Sequence, residues 1–215
     1  MARPTFDAAN TGTYSVSVTP GTATMAFGSM VEVGASPPDD VTWGGNTMTS
    51  IVTGATNTGG TERRGRLARY TPVGSGAQTV STTDPDASGI VQRMGLTLDG
   101  VDTTTPIAAS GTANGSGTSV SVSVGTVTAD QLVVWALHTA TNGTQSVTDG
   151  ANTTTRAQGN TPDNNPRAIG TATGTVTLTW SATQDWVLLW AVVNGTSDAP
   201  VVAVPSVVFR RARDT

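Results

Sequence analysis

The run WVLLWAVV, from Trp186 to Val193, is apolar at every position, and a shorter run, LVVWAL, covers Leu132 to Leu137. A half-exposed strand alternates apolar and polar residues, so a run without alternation indicates a strand with both faces covered. Both runs are far shorter than the roughly 20 apolar residues of a membrane-spanning helix. We therefore expect two neighbouring strands in the middle of a sheet that is covered on both sides.

Shorter segments around these runs alternate apolar and polar residues, as in Tyr14–Val18, Val120–Val124 and Thr175–Trp180. The stretch Ile90–Pro106 (IVQRMGLTLDGVDTTTP) predicts a further strand, which loses its apolar residues at Leu98 and breaks at Asp-Gly. Gly, Pro and Asn separate the segments into about ten short strands, a pattern typical of sandwiches and jelly rolls. The sequence predicts an all-β fold, an antiparallel β-sandwich of the jelly-roll type.

The first half of the chain has few bulky apolar residues, too few to bury a core alone. We therefore predict one sandwich domain over residues 13–195, with a split into two domains near Thr103 as the alternative. Residues 1–12 and 196–215 are predicted to be flexible N- and C-terminal arms. Two polar segments, residues 108–118 and 139–165, are predicted to be loops, the second with at most one short hairpin.

The composition excludes several classes of protein. Only 12% of residues are charged, Lys and Cys are absent, and Glu occurs only at positions 32 and 62. Scarce helix formers predict almost no helix, and the lack of Cys excludes disulfides and thiolate sites. A net charge of -4 argues against nucleic acid as a partner. The N-terminus has no apolar segment typical of a secretory signal, so we expect a soluble protein with no membrane partner that, unless a leader has been removed, is made in the cytoplasm.

The sequence has few candidates for catalytic or metal-binding residues. His138, the single histidine, would need a nearby nucleophile and carboxylate to act in a Ser-His-Asp triad, and no Gly-x-Ser-x-Gly motif is present. A lone histidine at a strand end favours a structural role. Asp99 and Asp102 bracket a tight turn and are the best candidates for a calcium site, although Asp also favours turns by itself. The sequence predicts no catalytic residue, no metal site and no cofactor.

Two groups of side chains are candidates for binding. Trp43 precedes Gly44-Gly45 in a predicted hairpin, where it either stacks on a sugar as a glycan contact or caps one end of the sandwich; the other four Trp residues are expected in the core. Arginines cluster at positions 63–69 and again near the C-terminus. Both clusters are either solvated surface groups or docking groups for an acidic partner. The second cluster also contains an aromatic residue. Its residues are Phe209, Arg210, Arg211 and Arg213.

With these residues in hand, the chain resembles a family of β-sandwich modules of phage virion proteins and bacterial surface or secreted proteins. The resemblance covers about Phe6 to Asn194, and Gly100-Val101-Asp102-Thr103-Thr104-Thr105-Pro106 is its most specific part. Weaker parts are the hairpin around Trp43, Tyr70-Thr71-Pro72 and the late Trp strand. It implies a role in adhesion, decoration or assembly, and it carries no catalytic residues.

Two functions follow as expectations. The first is a non-enzymatic phage virion structural protein, a capsid decoration or head protein whose terminal arms dock on the shell. Its partners would be capsid or tail proteins of the same virion, and the chain would form a homo-oligomer, for example a trimer, because exposed strand edges need cover. The alternative is a carbohydrate-binding or adhesion module with Trp43 in its site.

Overall fold

The computed structural model describes residues 2–13, 15–33, 40–56, 63–82, 92–140, 145–159 and 166–196. These residues form fifteen strands and no helix, and all the strand pairs are antiparallel, which confirms the predicted all-β fold. The strands are β1 (Thr5–Thr13), β2 (Val16–Val18), β3 (Met25–Val33), β4 (Val41–Trp43), β5 (Asn46–Thr47), β6 (Thr49–Ala55), β7 (Arg63–Tyr70), β8 (Gln78–Thr82), β9 (Gln92–Asp99), β10 (Ile107–Val122), β11 (Gln131–Thr139), β12 (Thr148–Asp149), β13 (Thr153–Gly159), β14 (Arg167–Ala172) and β15 (Val176–Asn194).

The strands form three sheets. The central sheet has the order β1-β9-β3-β7-β6, and the small sheet has the order β2-β8-β4-β5. The C-terminal sheet has the order β10-β15-β11-β14-β13, with β12 added along β15. One apolar cluster joins the central sheet to the small sheet and another joins it to the C-terminal sheet. The central sheet is therefore the middle layer of a sandwich.

Successive residues of β9 face opposite sides of the central sheet, so this strand contacts both the C-terminal sheet and the small sheet. Met94, Leu96 and Leu98 pack with residues of the C-terminal sheet. Gly95, between them in sequence, lies on the opposite face, where a Cβ atom would come within 2.7 Å of Val18 and Val80 of the small sheet. The missing side chain at position 95 thus allows the small sheet to approach closely.

The two fully apolar runs are β11 and β15, and they are paired neighbours in the middle of the C-terminal sheet, as predicted, with Trp135 opposite Trp190. One face of β11, with Val134, packs against the central sheet. The other face, with Trp135, packs in a second cluster with Val176 and Leu178 from the start of β15. The pairing of β10 with β15 skips residues between Gln184 and Thr179. Beyond this irregularity, the far end of the strand pair, with Val120, Val176 and Leu178, packs on the outer face of the sheet.

The prediction that residues 1–12 form a flexible arm is wrong for the part of this segment that the structure describes. Thr5 to Thr13 form β1, which pairs with β9 from Thr5–Asp99 to Thr13–Gln92. An edge strand is held mainly by backbone hydrogen bonds, so the small polar residues of this segment suffice. Phe6 and Ala9 pack against the cluster shared with the C-terminal sheet, and Ala8 packs against the cluster shared with the small sheet. Of the predicted C-terminal arm, all but residue 196 lies outside the described residues.

The segment predicted as a linker, residues 108–118, is also a strand, because it lies within the 16-residue β10. Gly111 and Gly115 stand opposite Trp190 and Trp186 on β15. A Cβ atom at these glycines would lie 2.5 and 2.8 Å from the indole rings, so glycine leaves room for the Trp side chains. The polar segment 139–165, predicted to be mainly loop, contains β12 and β13.

The cluster between the central and C-terminal sheets draws residues from both halves of the chain, including Phe27 and Leu96 from the first and Val134 and Leu189 from the second. If either half unfolds, it exposes apolar surface of the other. The halves should therefore unfold together.

This shared core predicts that Leu96→Ala lowers the free energy of unfolding by about 2–5 kcal/mol, because Leu96 is fully buried. Guanidinium denaturation followed by Trp fluorescence and near-UV circular dichroism should show one coincident transition. Thr118→Ala, at an exposed position of β10, is the control and should change stability by less than about 0.5 kcal/mol. Two separate transitions would contradict the shared core.

Candidate functional site

Trp43 is not the exposed glycan contact considered above. Its side chain is 1% exposed, and its indole N–H donates to the Val73 carbonyl at 2.7 Å. It packs with Val80 in the cluster between the small and central sheets. The interpretation of Trp43 as a sugar platform is therefore wrong, because its ring faces are already covered by apolar side chains. Of the other four, Trp135, Trp180 and Trp186 are buried and Trp190 is partly buried.

The first arginine cluster lies on β7 and is partly used within the protein. Arg63 is 5% exposed and donates to the Thr139 carbonyl at 3.3 Å. Arg66 forms a close ion pair with Asp40. These contacts connect β7 to neighbouring segments. The second predicted docking group, Phe209, Arg210, Arg211 and Arg213, lies outside the described residues.

A buried polar network connects the central sheet to the C-terminal sheet. Ser29 Oγ of β3 lies 2.8 Å from Nε2 of His138 on β11, and Gln92 Oε1 of β9 lies 3.2 Å from Nδ1 of the same ring. Ser29 also donates to the Arg66 carbonyl at 3.0 Å. The order of groups is that of a Ser-His-acid triad, with an amide where a hydrolase has its carboxylate.

This network is closed to substrates. Ser29, Gln92 and His138 are each 0% exposed. Gln92 has no charge with which to stabilise an imidazolium, as the acid of a triad does. The arrangement instead satisfies polar groups that would be costly to bury alone. It therefore supports the structural interpretation of His138.

The turn from Asp99 to Asp102 is held by its own carboxylates. Asp99 accepts from the Gly100 amide at 2.8 Å, and Asp102 accepts from the Thr104 amide at 2.8 Å and the Thr105 hydroxyl at 2.7 Å. The Thr105 hydroxyl, followed by the Thr104 amide, lowers the pKa of Asp102 below its usual 3.8. Among the described residues, no group of three or more His, Asp or Glu side chains could hold a metal ion.

A surface cleft of about 290 Å³ lies between the start of the chain and the strands β11, β13 and β14. Its polar lining includes Arg3, Asn152, Thr154, Arg156 and Thr173, and the lining contains no carboxylate. Phe6 supplies an aromatic ring. Four segments distant in sequence thus line one concave surface, and two of them supply guanidinium groups.

Arg156 is the most constrained of these side chains. Its guanidinium carbon lies 4.4 Å from the centre of the Phe6 ring, and its Nε donates to Thr171 Oγ1 at 3.1 Å. Partial burial lowers the pKa of Arg156, an effect that the Asp149 carboxylate opposes. Asp149 itself accepts from the Thr155 amide and hydroxyl. Arg3 is oriented by a 3.1 Å bond from its Nε to the Ala129 carbonyl.

This cleft was not predicted from the sequence. Arg3 and Phe6 were assigned to an arm, and Arg156 lay in a segment predicted to be mainly loop. No local pattern connects them, because the pairing of β1 in the central sheet and of β13 in the C-terminal sheet creates the contact between Phe6 and Arg156. The lone arginine in the polar segment was the only available signal.

Comparison with known proteins finds no matching family model, curated protein or solved structure. The described residues also contain no helix that could cross a membrane. The resemblance to phage and bacterial surface modules therefore rests on the sequence motifs alone.

The buried network predicts that Ser29→Ala lowers the free energy of unfolding by about 1–3 kcal/mol, because it removes the hydroxyl beside His138 Nε2 and the donor to the Arg66 carbonyl. Urea denaturation measures the change. Ser17→Ala, at an exposed position of β2, is the matched control and should be neutral. Equal stability of Ser29→Ala and the unmodified protein would show that the network does not hold the sheets together.

Proposed function

We propose that the chain is a non-enzymatic structural protein of a phage virion, a capsid decoration or head protein that assembles as a homo-oligomer. The observation that carries the proposal is the edge strand β10. It spans 16 residues at the end of the C-terminal sheet, and among the described strands it pairs only with β15. The motif resemblance, with its implied role in decoration or assembly, supports the same function.

The chemistry of β10 favours pairing with a second copy of this chain. Natural proteins protect long edges with charged residues, Pro or short strands. β10 contains no charged residue and no Pro, and most of its residues are exposed or half-exposed. Two identical edges without charge can approach each other without like-charge repulsion, and small side chains such as Ser110 and Ser116 do not obstruct backbone pairing.

The alternative function, a carbohydrate-binding or adhesion module, no longer has Trp43 in support. The cleft at Arg3, Phe6 and Arg156 is the observation that favours it, since the cleft is concave and has several hydrogen-bonding groups. A virion protein can carry such a site, so the two functions do not exclude each other.

If β10 pairs with β10 of a second copy, Ser110→Lys combined with Ser116→Lys should shift the protein from oligomer to monomer. The two positive charges added to one β10 edge would repel those on the β10 edge of the other copy. Light scattering after size-exclusion chromatography measures the mass. Thr79→Lys, at an exposed position of β8 in the small sheet, is the control and should leave the oligomer intact. An unmodified protein that is monomeric at all concentrations would overturn the edge contact.

The virion proposal predicts that the protein is present in a fixed copy number on purified particles of the phage that encodes it. Deletion of residues 200–215, which removes Phe209 and the neighbouring arginines, should reduce occupancy. Quantitative mass spectrometry of purified particles measures both. Absence of the unmodified protein from particles would refute the virion role, and unchanged occupancy after the deletion would refute docking through this segment.

A further inference from the structure

We propose that the cleft between Arg3, Phe6 and Arg156 binds a carboxylated sugar unit, such as a hexuronic acid residue. The inference goes beyond the virion role and stands apart from it, because sugar binding and particle occupancy are measured on different samples. The charge, the geometry and the size of the cleft support it.

The charge of the cleft is opposite to that of the chain. The protein carries a net charge of -4, yet Arg3 and Arg156 line the cleft and no Asp or Glu does. Among the described residues, neither arginine forms a salt bridge, and each uses only its Nε in a hydrogen bond. Their terminal nitrogens are therefore available to a carboxylate, which guanidinium binds through two parallel hydrogen bonds.

The geometry of Arg156 is set before any ligand arrives. Phe6 lies against one face of the guanidinium, and Thr171 accepts from its Nε. A side chain held in this way loses little conformational entropy on binding. Arg156 covers one face of the Phe6 ring, and the ring also packs against the core. Recognition through the two guanidinium groups is therefore favoured over stacking of a neutral sugar.

The size and the remaining polar groups favour a sugar over an acidic protein side chain. A volume of about 290 Å³ is close to the lower end of small-molecule sites, roughly 300 Å³. Beyond the arginines, Asn152, Thr154 and Thr173 line the cleft with an amide and two hydroxyls. These groups match the ring hydroxyls of a sugar, whereas an Asp or Glu side chain offers only its carboxylate and would leave them unused.

The test is titration of the full chain with glucuronic acid, with glucose as the neutral counterpart, followed by calorimetry and by NMR shifts of cleft residues. We expect glucuronic acid to bind at least tenfold more tightly than glucose. Arg156→Gln should weaken its binding about tenfold or more, the loss of one charge-assisted pair. The affinity of Arg156→Lys for glucuronic acid should lie between those of the unmodified protein and Arg156→Gln. Lys keeps the positive charge but cannot form two parallel hydrogen bonds to a carboxylate.

Controls separate binding from folding. Arg69→Gln, on β7 outside the cleft, should bind as the unmodified protein does. If Arg156→Gln does not fold, Arg3→Gln replaces it, since Arg3 is exposed and has one backbone contact. Equal affinity for glucose and glucuronic acid, or unchanged affinity in the folded arginine variant, would overturn the proposal. Tighter binding of N-acetylglutamate amide than of glucuronic acid would overturn it in favour of an acidic peptide.

Discussion

The pairing of β11 with β15 is the constraint on which the rest of the structure depends. Both faces of this strand pair carry apolar side chains. Val134 and Leu189 lie on one face, and Trp135 and Leu188 lie on the other. Two apolar faces need two covers, because exposure of either would cost about 25 cal/mol for each Å² of apolar surface. The central sheet covers one face, and the far end of the paired strands β10 and β15 covers the other.

The central sheet also has a second apolar face, which must be buried. Met94, Leu96 and Leu98 on one face of the central sheet pack against the C-terminal sheet. The apolar residues on its other face are buried by the small sheet. The interface between the two large sheets also contains buried polar residues. Ser29 and Gln92 form hydrogen bonds with the two ring nitrogens of His138. The stacking of the sheets buries the His138 side chain, so this triad-like order of groups is closed to solvent.

The features available to partners lie at the margins of this layered body. β10 remains at the edge because the apolar pair occupies the middle of its sheet, and its glycines make room for Trp186 and Trp190. The cleft forms where the start of the chain meets β13 and β14. The uncharged edge is the surface proposed for contact between subunits, and the concave group of arginines is the site proposed for a carboxylated sugar.

The sequence by itself determined the all-β fold, the central position of β11 and β15 and the need for cover on both of their faces, because local alternation and its absence report directly on burial. It did not show that residues 5–13 and 108–118 are strands, because edge strands are held by backbone bonds and small polar residues there look like a loop. Only the tertiary structure decided that Trp43 is buried and that Arg156 stacks on Phe6. Both depend on how the sheets are stacked, and that stacking joins residues that no spacing along the chain connects.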